Sequence, residues 1–315
     1  LERDPGNRGV VSEGGLVMTE ARIRERLGVR PRLEAETPEE KPAVSWDRRL
    51  RPVDWFTVAY LGVTLLLLLL RGSRIDDAHL LAGVHVLGIA LIVAFRWLGI
   101  DRWRAGDLLL GFYPLVLFAL FYTEVGVLNQ LITPGVFHDS AILEIEEKVF
   151  RGQPSQELYR RLDSRLLGEY LHLGYFSYYF LVPILGFTLW FRRPREQFDR
   201  AVACIAFVFY SCFLIFIFYP VTGPYHVVTA PPPAEGVGYV LPNVTRWLLD
   251  RGSSVGTAFP SSHVAVAVVT WLMAIRYHTG IAVLYAFLVP ALAVGAINGG
   301  YHYATDIVAG ALLAD

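Results

Sequence analysis

Two short stretches of this chain hold the side chains that could do chemistry: Gly256 to His263, reading GTAFPSSH, and Gly299 to Gly310, reading GGYHYATDIVAG. Each lies where a polar segment meets a long apolar one, which puts ionisable groups at the mouth of a membrane helix. Ionisable groups at such places are functional candidates by default. His302 and Asp306 stand four apart, a spacing that shares one face of a helix, so the carboxylate can hold one ring nitrogen and leave the other free as a nucleophile. His263 follows Pro-Ser-Ser at an expected helix start, where unpaired N–H groups and the helix dipole favour a phosphate or another anion. A nucleophilic histidine, an orienting carboxylate and a second histidine at an anion site are the parts of a metal-free phosphoryl-transfer centre. Around these motifs no Cys, His or carboxylate cluster has metal-ligand spacing, and no cofactor is implied.

The elements that must position these residues are membrane helices. The 315 residues are 54% hydrophobic, with a mean hydropathy of +0.42, well outside the composition of an ordinary globular domain. Apolar runs at Trp55 to Leu70, His79 to Leu98, Asp107 to Leu131, Tyr170 to Phe191, Ala201 to Tyr219, His263 to Tyr277, Ile281 to Ile297 and from Tyr303 onward predict an all-α polytopic transmembrane bundle of eight spans. The last run stops at Asp315, short of the ~20 residues a span needs, so either the chain is cut inside that span or the native protein continues. Residues 1–51 are rich in Arg, Glu, Gly and Pro and read as a disordered cytoplasmic tail; residues 52–106 add two N-terminal spans to a six-span core at 107–315. The first Met is Met18, and no cleavable signal pattern precedes it. The two cysteines, Cys204 and Cys212, share one apolar run, which fits packing and not a disulfide framework or zinc site.

Arg and Lys set the expected orientation. The tail is basic, and so are the loops around Arg96, Arg102 and Arg104, around Arg192, Arg193, Arg195 and Arg200, and around Arg276. One topology places all of them on the cytoplasmic side of a plasma (inner) membrane and sends His263, His302 and Asp306 together to the external face. Of the two long external loops, 133–169 holds Ile142, Leu143, Ile145, Val149 and Phe150 interleaved with charges, the pattern of an amphipathic surface helix. The other, Pro220 to Ser262, carries Pro231, Pro232 and Pro233 and is expected to roof the site.

At these residues the chain resembles the type 2 phosphatidic acid phosphatase superfamily: FPSSH is similar to its Pro-Ser-x-His motif and YHYATD to its His-x-x-x-Asp motif. The HYxxD form, with YPVTGP at Tyr219 to Pro224, looks most like the inositol phosphorylceramide synthase and sphingomyelin synthase branch. The resemblance covers the chain from about Asp107. It implies that His302 attacks phosphorus, that Asp306 orients it, that His263 protonates the leaving group, and that Ser261, Ser262 and nearby N–H groups cradle the phosphate. The chain departs from the hydrolases of that superfamily at Ala296, where they place an Arg, and at Gly295, where they place a Ser. It also lacks the Lys-x6-Arg-Pro motif, and a GPR triplet common in relatives reads Gly223-Pro224-Tyr225. Arg246, Arg251, His226 and Tyr225 are the external candidates to meet the phosphate charge instead.

His79, His85, His138, His172 and His278 are set aside as structural or solvated. The arginine clusters follow from topology, so nucleic acid is not an expected partner. Three functions stay open: a lipid phosphate or polyprenyl pyrophosphate phosphatase, a phosphotransferase moving a phospho-head group to a lipid alcohol or polyol, and a catalytically silent scaffold or transporter. The substrate of the first two is a lipid phosphate or phospholipid reached from the bilayer.

Overall fold

The computed structural model describes residues 50–162, 164–192, 194–227 and 238–315. Nearly all of the expected tail and the Pro231 to Pro233 run lie outside the described residues. Each of the eight apolar runs forms a helix: α1 (Pro52–Arg71), α2 (Ala78–Trp97), α3 (Arg104–Ile132), α6 (Arg165–Phe191), α7 (Arg195–Phe218), α9 (Ser262–Tyr277), α10 (Thr279–Asn298) and α11 (Ala304–Leu313). Three polar-rich helices join them, α4 (Asp139–Phe150), α5 (Pro154–Arg161) and α8 (Leu241–Gly252). By length and composition α1, α2, α3, α6, α7 and α10 can each cross a membrane, while α9, with 16 residues, and α11, with 10, are apolar but shorter.

The core is built on α7. Its span window is 67% buried, against 11% for α2, which makes α7 the hub of the bundle and α2 its most lipid-facing member. Phe213, Phe216 and Cys212 of α7 are fully enclosed, and Cys204 and Cys212 are both free thiols. Between helices in a bilayer, close packing matters more than removal of water, so small residues mark the tightest contacts. Gly295 is such a contact: a Cβ there would stand 2.5 Å from the Leu171 carbonyl oxygen, which lets α10 lie directly on α6.

At one end of the bundle the charged side chains are paired. Arg51 reaches Asp199 (3.1 Å), Arg96 reaches Asp54 (2.8 Å) and Asp101 (2.9 Å), and Arg195 reaches Asp107 (2.8 Å). Arg96 and Asp54 are buried, so removing either leaves the other short of a partner where an unmet charge is costly, although Arg96 keeps Asp101 and Asp54 keeps Arg51. These pairs bring the start of α1, the end of α2 and the starts of α3 and α7 to one end. The histidines of the two motifs lie at the other, where α7 runs out beside the Thr257 segment.

Candidate active site

The segment leaving α7 and the first motif lie side by side. Val221 N–H donates to the Gly256 carbonyl (3.3 Å), and Ala258 N–H donates to the Val221 carbonyl (2.9 Å). The chain then turns into α9, whose N-cap is Ser261, its hydroxyl accepting from Val264 N–H at 3.4 Å. Ser, with a short side chain and an acceptor oxygen, suits that position. His263 therefore sits in the first turn of α9. Its ring packs on Tyr175 and Tyr178 of α6, with centroids 5.2 Å and 4.4 Å away, and its Nδ1 is buried with no hydrogen-bond partner.

His302 and Asp306 do come together, but not along one helix face. Helix α11 starts only at Ala304, so His302 lies in the preceding loop. Asp306 is in the first helical turn and folds back, its Oδ2 accepting from Tyr303 N–H at 2.9 Å. That fold brings Oδ2 to 3.4 Å from His302 Nδ1. The same nitrogen is 3.0 Å from the Ala258 carbonyl oxygen. A carbonyl can only accept, so Nδ1 carries the proton and Nε2 keeps its lone pair.

The two motifs are clamped together by Ser261 N–H donating to the Asp306 carbonyl at 3.0 Å. Gly310 makes the approach possible, because a Cβ at that position would stand 2.5 Å from the Ser261 carbonyl oxygen. The result is a pair of imidazoles with centroids 5.7 Å apart. Both open on a cavity of about 70 Å³ that His226, Tyr225, Arg246 and Thr257 also line. On this measure one water takes about 10–15 Å³, so the cavity holds a few waters' worth of space and suits a phosphate-sized group and not a lipid chain.

Of the expected substrate-binding residues, then, Tyr225, His226 and Arg246 reach the cavity. Ser261 and Ser262 do not: both are buried, and the Ser261 hydroxyl is spent on the helix cap. Arg251 is also elsewhere, its guanidinium 4.5 Å above the Trp247 ring and its Nη1 on the Trp247 carbonyl. Arg246 and Arg251 are five residues apart, more than one helical turn, and so leave α8 on different faces. The cation at the cavity is thus delivered by α8, with Asp250 beside it. The Ala296 position is occupied differently: the side chain is buried, and its carbonyl accepts from Tyr301 N–H (3.0 Å) and His302 N–H (3.2 Å), fixing the loop that holds His302.

Three carboxylates that the sequence did not single out support the site. Asp139 accepts from the N–H groups of Thr222 and Gly223, both at 2.9 Å, and from the Tyr303 hydroxyl at 3.1 Å. Glu146 accepts from Thr305 N–H at 3.1 Å, a carboxylate at the N-terminus of α11; burial pushes its carboxyl above the usual range, against the pull of those N–H groups. Glu169 accepts from Leu241 N–H at 3.2 Å and from Tyr239 and Val240 N–H, holding the start of α8. The expected amphipathic helix is α4, yet its inward stripe is Asp139, Ile142 and Glu146, while Ile145, Val149 and Phe150 are exposed. Of the charges interleaved with the apolar set, Glu146 is turned to the protein. Among the described residues no group of three or more His, Cys, Asp or Glu side chains forms a metal site.

The profile of the PAP2 superfamily matches residues 145–314, a stretch that contains both histidines, Asp306, Arg246 and Glu146. The chain belongs to that superfamily. The matched stretch begins within α4 and does not include α1, α2 or α3. No match was found among curated proteins or solved structures. Family membership and six helices of spanning length together give a membrane protein of the phosphatase type.

Proposed function

We propose that this protein is a lipid phosphate phosphatase or phosphotransferase that works through a phosphohistidine on His302 at the external face of the membrane. The observation that carries this reading is the His302 ring itself. Its Nδ1–H is held by the Ala258 carbonyl and backed by Asp306, so Nε2 is presented as a lone-pair donor beside the His263 ring. Nε2 attacks phosphorus, the bond to the lipid oxygen breaks, and His263 gives its proton to that oxygen. Charge on the imidazolium that forms is offset by Asp306. Arg246 supplies positive charge for the equatorial oxygens, where it stabilises the transition state most, and His226 lines the same cavity. In the second half, water or an alcohol gives its proton to His263 and takes the phosphoryl group from His302.

The choice of acceptor separates the two activities, and transfer is the better supported. The HYxxD form is shared with the inositol phosphorylceramide synthase-like branch. Gly295, where hydrolases place Ser, is packed against the Leu171 backbone, and Ala296, where they place Arg, is fully buried. The deciding experiment incubates purified protein with labelled phospholipids, with and without lipid-alcohol or polyol acceptors. A new phospholipid in the presence of acceptor establishes transfer, and release of phosphate alone establishes hydrolysis. If neither product forms and no acid-labile phosphate appears on the protein, the fold is serving as a scaffold or transporter.

A further inference from the structure

Helices α2 and α3 both pack on α1 but splay apart from each other. Between them runs a groove of about 590 Å³, walled by apolar side chains such as Leu61, Leu91, Phe95, Leu109 and Leu117. On α3 its lining extends from Leu109 to Val127, about 27 Å at 1.5 Å per residue, close to the ~30 Å hydrocarbon thickness of a bilayer. The volume falls in the ~300–1,000 Å³ range of small-molecule sites.

An imidazole and a carboxyl interrupt this wall. His85 of α2, 1% exposed, faces Glu124 of α3 with Nε2 to Oε1 at 3.2 Å, and both residues line the groove. His85 Nδ1–H donates to the Leu81 carbonyl at 2.8 Å, so the neutral ring keeps its lone pair on Nε2, and neither Nε2 nor Glu124 Oε1 makes a hydrogen bond within the protein. Net charge is costly in an apolar setting, so the neutral form of the pair is the favoured one. The Glu124 carboxyl is left for something else. Glu124 lies nine residues before Thr133, or about 13 Å below the site end of α3, deeper than a phosphate head group. A purely hydrocarbon occupant would leave Glu124 Oε1 and His85 Nε2 unsatisfied in a dry setting, which is costly. An anion or a cation would bring net charge to a neutral pair, costlier still.

We propose that this groove binds a neutral lipid alcohol, its single chain lying along α3 and its hydroxyl donating to Glu124. The site is separated from the catalytic cavity by α3 itself: Tyr122 lines one and Glu124 the other. Its lining lies outside the stretch matched to the superfamily, and it does not depend on the chemistry of His302.

The test uses the full chain in lipid nanodiscs and a long-chain primary alcohol carrying a photoreactive diazirine in its tail. Cross-links should map to groove residues of α2 and α3. Unlabelled alcohol should compete about tenfold better than its methyl ether, the worth of one hydrogen bond in such a site. Gly88→Trp, at a wall position where a Cβ still clears Leu61 by 3.4 Å, should abolish labelling, and Glu124→Leu should erase the difference between alcohol and ether. Equal competition by the ether on the unaltered protein, or labels spread evenly over all lipid-facing helices, would overturn the proposal. The ether comparison needs no variant, so it decides the matter even if a substituted protein fails to fold.

Discussion

The Tyr303 hydroxyl donates to Asp139 at 3.1 Å, tying the surface helix α4 to the residue that follows His302. The same carboxylate takes the N–H groups of Thr222 and Gly223, so one side chain holds two of the loops that wall the cavity. Asp139→Ala leaves three donors unpaired, each worth about 1–3 kcal/mol when buried. Turnover should fall at least tenfold and thermal stability should drop, whereas Tyr303→Phe, which removes one bond of the three, should lose much less of both. Matching losses in the two variants would show that Asp139 does not act as a shared anchor.

The two histidines are expected to differ in role. His302→Ala should abolish turnover and any covalent phosphoenzyme, because the ring whose Nδ1–H is held by the Ala258 carbonyl is the one that presents a lone pair to the cavity. His263→Ala should slow departure of the leaving group, and a substrate with a good leaving group, which needs little protonation, should restore much of its rate. Trapping acid-labile phosphate on His263 instead would reverse the assignment.

Charge at the cavity comes from one face of α8. Arg246→Ala should lower kcat/KM on the order of 10²-fold, as removal of a charged transition-state contact commonly does. Arg251→Ala, whose side chain packs on Trp247, should stay within about twofold. Steady-state kinetics on the same lipid substrate compares them directly, and similar losses for both arginines would count against the assignment.

Sidedness can be read by labelling. In a background without Cys204 and Cys212, Gly252→Cys, which has open space around it, should react with an impermeant thiol reagent added to intact cells. Glu196→Cys, exposed at the opposite end of the bundle, should react only after the membrane is opened. The reverse pattern would put the catalytic cavity on the cytoplasmic side.

Metal independence is checked by chelation: activity should survive EDTA and be inhibited by vanadate, which imitates five-coordinate phosphorus. A strict magnesium requirement for the chemical step would sink the phosphohistidine route.

What could be read from the sequence divides along physical lines. The helices were legible because long apolar runs have few alternatives in a membrane, and all eight runs form helices at nearly the expected bounds. The proximity of His302 and Asp306 was legible too, but for the wrong reason, since a loop and a first-turn carboxylate replace the helix face. Asp139 and Glu146 were not, because their partners lie more than eighty residues away and nothing local separates an inward acid from a solvated one. Ser261 looked like a phosphate ligand, although the features that suggested it, a hydroxyl at a helix start, serve equally for a cap. Arg96 looked like a topology marker, and its burial against Asp54 is invisible without the fold.

The shortness of α9 has a bearing on how a substrate arrives. Sixteen residues cover about 24 Å, some 6 Å less than a ~30 Å hydrocarbon layer, whereas α7, with 24 residues, covers about 36 Å. If α9 starts from the far boundary, His263 stands at the bottom of a well sunk beneath the plane of the surrounding head groups. A lipid must then dip its phosphate into the well, or the bilayer must thin around it, before reaction can begin. Turnover is therefore expected to depend on acyl-chain length in reconstituted bilayers, rising as the membrane thins toward the depth of that floor.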